Sequence, residues 1–93
     1  MTSNPLTAII YSAPGCMKCR YTKRGLTRLG FTIIEENIHE HPSKIQLMAD
    51  IKAAELPLVE ATIHGEPHTW TGYSDTRMRN LADTINTIQE ADQ

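Results

Sequence analysis

Cysteine is scarce in this chain: two in 93 residues, too few for the disulfide scaffold of a small secreted protein. No apolar run approaches the roughly 18 residues of a membrane span. Positive charge is not in excess either. Nine Lys and Arg against eleven Asp and Glu leave a net charge of −2, which argues against a nucleic-acid binder that works by neutralising phosphates. Residues 1–5 lack the basic and apolar regions of a signal peptide, so a cytoplasmic protein with no membrane partner is expected. Repeats, low-complexity tracts and linkers are also missing, so residues 1–93 are expected to form one domain. What remains is an ordinary globular composition, 40% apolar and 22% charged, long enough to fold without a staple.

Residues 6–11 are apolar and rich in β-formers, and predict a buried strand. Ser12, Ala13, Pro14 and Gly15 break it. A helix is expected from near Cys16 to about Leu29, with Met17, Tyr21 and Leu29 on its apolar face and Gly30 as its stop. Residues 31–36 predict a second strand. Pro42 suits the first turn of a second helix that carries Leu47, Met48, Ile51 and Ala54 on one side. Residues 56–63 predict a third strand, residues 64–67 a hairpin turn and residues 68–71 a fourth strand. Ser74 or Asp75 can cap a last helix with Met78, Leu81, Ala82, Ile85 and Ile88 as its stripe. The order β-α-β-α-β-β-α implies an α/β fold: a four-stranded mixed sheet flanked by three helices.

Cys16-Met17-Lys18-Cys19 falls where the first strand gives way to the first helix. A cysteine there faces unpaired backbone N–H groups and the positive end of the helix dipole, and both favour a thiolate. Lys18 adds positive charge within the motif. At an ordinary pKa about 3% of a thiol is ionised at pH 7, and at a pKa near 7 roughly half is, a gain of about 2 kcal/mol. The three-residue spacing lets the two side chains form a disulfide. Cys16, nearer the terminus, is expected to be the nucleophile and Cys19 the resolving thiol. The competing reading is a structural zinc module, with His64 and His68 completing a Cys2His2 set. Its spacing is far from that of a zinc finger, and only one C-x-x-C is present. His39 and His41 read as surface residues.

The chain resembles the glutaredoxin group of the thioredoxin fold, and within it the NrdH-type redoxins. The resemblance runs from about Leu6 to Leu81. It rests on Tyr11 through Cys16, on Cys16-Met17-Lys18-Cys19 continued by Arg20-Tyr21-Thr22-Lys23-Arg24, on Glu55-Leu56-Pro57-Leu58-Val59, and on Trp70-Thr71-Gly72-Tyr73-Ser74. It implies a small dithiol-disulfide electron carrier with no bound cofactor or metal. Thioredoxin reductase would reduce it, and it would in turn reduce class Ib ribonucleotide reductase for deoxyribonucleotide synthesis. Cys16 and Cys19 take the redox positions, and Pro57, after Leu56, takes the cis-proline position. Trp70, Thr71, Gly72, Tyr73, Ser74 and Asp75 take the partner-binding stretch. A monomer is expected. The alternative within the fold is a glutathione-dependent glutaredoxin. Against it, Ala13 stands where the group often has a cation, and Tyr73 stands where glutaredoxins keep glycine. For it, Ser74-Asp75 is closer to the glutaredoxin pattern than to the Arg-Pro common in NrdH-type proteins. Glutathione is therefore expected to bind weakly or not at all.

Two features read either way. Trp70 suits core packing with a paired indole N–H. Lys18, Arg20, Lys23, Arg24 and Arg28 place five of the nine basic residues on the first helix, either as a solvated face or as a patch that steers acidic partners.

Overall fold

The structure, a computed structural model, describes residues 4–91. Its elements follow as β1 (Leu6–Ser12), α1 (Met17–Arg28), β2 (Thr32–Asn37), a 3-10 turn (Ile38–Glu40), α2 (Pro42–Asp50), β3 (Leu58–Ile63), β4 (Glu66–Thr71) and α3 (Asp75–Ala91). The strands lie in the order β2-β1-β3-β4. β1 pairs with β2 in parallel, which requires the crossover through α1, and β3 runs antiparallel to both β1 and β4. The expected mixed sheet with three helices is therefore present. The 3-10 turn was not anticipated.

Alternate residues of a strand face opposite sides. Leu6, Ala8 and Ile10 of β1 and Val59, Ala61 and Ile63 of β3 pack with Leu26 of α1 and with Leu81 and Ile85 of α3. On the other side Tyr11 and Leu58 meet Ile38, with Leu47 and Met48 of α2 packed against them.

Several local expectations need correction. The inward face of α1 is Cys19, Thr22 and Leu26, whereas Met17 and Tyr21 are 51% and 43% exposed. Thr22 can be buried because its hydroxyl donates to the Lys18 carbonyl at 2.8 Å. Helix α2 stops at Asp50, so Ile51 and Ala54 lie beyond it and exposed. The hairpin turn is only His64 and Gly65, and Pro67 sits within β4. A proline is tolerated there because β4 is an edge strand. The stripe of α3 holds: Leu81 and Ile85 are buried and Met78, Ala82 and Ile88 half-buried. Trp70 is buried as expected, but its indole N–H has no hydrogen-bond partner among the described residues.

Candidate active site

The topology gathers the candidate residues at one end of the sheet. β1 ends at Ser12, and residues 13–15 turn the chain into Cys16. Tyr11 pairs with Leu58, and Leu58 with Thr71. Leu56 and Pro57, just before β3, therefore arrive at the same end as Gly72, Tyr73, Ser74 and Asp75, just after β4.

Cys16 is the N-cap of α1, with extended backbone angles, and its Sγ accepts the Cys19 N–H at 3.1 Å. Serine, threonine and aspartate usually take this position with an oxygen acceptor; here a sulfur does so. No acidic residue sits in the first turn of α1 to oppose negative charge on that sulfur. Cys16 is half-buried and Cys19 only 2% exposed. The two form a disulfide, with their Cα atoms 5.3 Å apart. A pocket of about 360 Å³ opens on the pair, walled by the turn at 12–15, Arg20 and the end of β2 from Glu35 to Asn37.

The Leu56–Pro57 bond is cis. The Pro57 carbonyl accepts the Gly72 N–H at 2.9 Å, which ties the entry of β3 to the exit of β4. Gly72 has φ +77°, and a Cβ there would lie 2.9 Å from a Glu55 carboxylate oxygen. That carboxylate also pairs with Lys18. The Lys18–Glu55 bridge thus links the cysteine motif to the proline loop, and the Lys18 charge is shared with a carboxylate rather than free. Glu55 heads the proline motif in the sequence but carries no assigned role there, because a surface carboxylate gives no spacing signal.

Ser74 caps α3, with its hydroxyl accepting the Arg77 N–H at 3.3 Å. The Tyr73 hydroxyl donates to the Asp75 carboxylate, and that bond is the first cause holding its pKa above 10.0. The Tyr73 ring meets the Tyr21 ring edge-on at 5.8 Å. Leu56 is half-buried and packs toward Tyr11 and Leu58, and Thr71 is half-buried at the end of β4. The Arg77 guanidinium lies 5.1 Å from the Trp70 ring centre.

The Cys2His2 alternative does not assemble. The His64 N–H donates to the Pro5 carbonyl at the start of β1, while the cysteines follow the end of that strand. The length of β1, about 20 Å at the rise of a strand, separates them. His41 instead pairs with Glu36.

No family model matches the chain, and no curated protein matches it at a significant level. Solved structures do. A yeast mitochondrial thioredoxin 3 from Saccharomyces cerevisiae superposes with a TM-score of 0.55 at 16% identity, over 87% of this chain and 79% of that one. A variant thioredoxin from Halobacterium salinarum gives 0.57 at 17%, over 90% and 74%. At these identities the likeness shows the fold. Fold and cysteine pair together define the class: a thiol-disulfide oxidoreductase of the thioredoxin fold. Within that class the chain is similar to the glutaredoxin-like protein NrdH-redoxin from Escherichia coli, with a TM-score of 0.63 and 25% identity over 81% of this chain and 93% of that one. This agrees with the resemblance carried by its motifs. Among the described residues no helix is long and apolar enough to cross a membrane.

Proposed function

We propose that this dithiol carrier takes its electrons from thioredoxin reductase and passes them to class Ib ribonucleotide reductase in the cytoplasm, with glutathione a poor donor. The observation that carries the chemistry is the half-buried Cys16 sulfur at the head of α1, accepting a backbone N–H in front of the buried Cys19. In the reduced protein the Cys16 thiolate attacks one sulfur of a partner disulfide, and the partner's other sulfur leaves as a thiolate. Cys19 loses its proton to solvent and attacks Cys16 Sγ, which releases the partner's second thiolate. Two electrons pass to the partner, and the Cys16–Cys19 disulfide remains. A reductase reverses these steps.

The choice of donor rests on the rim of the site. Glutathione carries two carboxylates and one ammonium group. Ala13 offers no cation beside the turn. One oxygen of the Asp75 carboxylate, the group that could hold the γ-glutamyl ammonium, already accepts the Tyr73 hydroxyl. The Tyr73 ring, braced by Tyr21, narrows the approach. The similar Escherichia coli protein is described as having a thioredoxin-like activity profile, which supports the same direction. The test is a pair of NADPH-coupled assays, one with thioredoxin reductase and one with glutathione and glutathione reductase. Efficient reduction in the first and slow reduction in the second is expected. Comparable rates would make the protein a glutaredoxin.

A further inference from the structure

Helix α1 carries Lys18, Arg20, Lys23, Arg24 and Arg28 and no acidic residue. Two of these cations are already engaged, Lys18 by Glu55 and Lys23 by Glu35. Arg20, Arg24 and Arg28 form no ion pair among the described residues. They are exposed and stand four residues apart, a stripe about 12 Å long. Like charges at this spacing repel and destabilise a helix, and among the described residues no carboxylate lies within ion-pair distance of the three. With Lys23 and Thr27 they line a shallow groove of about 450 Å³. Arg20 also lines the pocket over the disulfide, so the groove adjoins that pocket at Arg20.

We propose that this groove docks an acidic segment of the redox protein that exchanges disulfides with Cys16, its carboxylates pairing with Arg20, Arg24 and Arg28. The inference rests on the dithiol-carrier reading. Arginine suits the role because its planar fork can hold a carboxylate by two hydrogen bonds. The surroundings favour a polypeptide over nucleic acid. Glu35 and Glu36 stand on the opposite wall of the disulfide pocket, and the chain as a whole has a net charge of −2. A uniformly charged phosphate backbone would meet those carboxylates. A polypeptide can place acidic residues over α1 and neutral ones beside β2.

The test uses two synthetic peptides with the same internal disulfide, one followed by glutamates and the other by glutamines. Protein reduced with dithiothreitol and freed of it is the electron donor. The ratio of the second-order rate constants for the acidic over the neutral peptide, each measured in a single turnover, should be about tenfold at low ionic strength. It should fall toward one as salt is added and in R20Q/R24Q/R28Q, and persist in R20K/R24K/R28K. The salt titration gives the same reading without any substitution. Equal rate constants for the two peptides overturn the docking surface and leave the redox reading standing, whereas reduction of neither peptide overturns both. Stronger inhibition of the acidic-peptide reaction by a single-stranded DNA oligonucleotide than by a cysteine-free polyglutamate peptide of equal charge would assign the groove to nucleic acid and overturn the proposal.

Discussion

On the side of the sheet covered by α1 and α3, eleven buried residues form one cluster, all apolar apart from the indole N–H of Trp70. On the side covered by α2, only Tyr11, Ile38 and Leu58 are buried in a cluster, and α2 itself has no fully buried residue. Polar contacts attach it instead. Lys44 Nζ lies 2.7 Å from Glu60 and 5.4 Å from the centre of the Tyr11 ring. The Tyr11 hydroxyl donates to Glu60 at 3.3 Å. His41 meets the Tyr11 ring edge-on at 5.2 Å and Glu36 at 3.3 Å. The helix that presents Cys16 is thus anchored chiefly by apolar burial, which is indifferent to charge state, and its two ion pairs, Lys18–Glu55 and Lys23–Glu35, are more exposed than Lys44–Glu60. The helix on the far side is held in part by groups that titrate. Loosening of the α2 side by pH or salt should therefore precede any disturbance of the cysteines.

Neighbouring residues of β1 give the strongest contrast. Ile10 is fully buried under α1 and α3, while Ile9 faces α2 and is half-buried. Ile10→Ala should lose about 3–4 kcal/mol in urea unfolding, and Ile9→Ala about 1–2 kcal/mol, because less area and a smaller cavity are involved. Equal losses would break the comparison. Tyr11→Phe removes one hydrogen bond from the α2 side and should cost about 1 kcal/mol in the same measurement, with the ring packing retained.

The smallest effect is a pH dependence. The hydrogen bond to Glu60 holds the Lys44 pKa above 10.5, with burial opposing it. Burial first, and then the Glu60 charge, hold the Tyr11 pKa above 10.0. Both groups bind their protons more tightly in the folded state than in the unfolded one. Their contribution is complete below the unfolded values and is lost as pH rises through the folded ones. Stability should therefore fall above about pH 10. In Glu60→Gln that alkaline fall should be shallower. Thermal unfolding followed from pH 8 to pH 11 checks it (about three units, spanning the ordinary values), and an unchanged slope would remove Glu60 from the account.

Two helix ends show what could and could not be read from the residues. Helix α1 ends with the Gly30 N–H on the Thr27 carbonyl and the Phe31 N–H on the Leu26 carbonyl. Helix α2 ends in the same way, with Lys52 on Ala49 and Ala53 on Met48. The first left-handed residue is a glycine at φ +97° and the second a lysine at φ +56°. Both are the same reciprocal cap, but only the glycine announces it. Without that signal the stripe of α2 was carried on to Ile51 and Ala54. The inward face of α1 was missed for a related reason. Its buried residues include a threonine satisfied by its own helix, while Met17 and Tyr21 stay exposed beside the cysteines, and hydropathy ranks these the wrong way round. The cysteine motif, the proline before β3 and the Ser74 cap were legible because each is a residue type tied to one backbone position. Glu55 was not, because its partner Lys18 is distant in sequence.

The central claim is that position at the head of α1 makes Cys16 the attacking thiol. The direct measurement is the iodoacetamide alkylation rate, against pH, of the single remaining thiol in Cys19→Ser and in Cys16→Ser. The account predicts that Cys16, left alone in Cys19→Ser, reacts about tenfold faster at neutral pH, with the lower midpoint of the two thiols. Cys19 reacting as fast as Cys16, or with the lower midpoint, would contradict it.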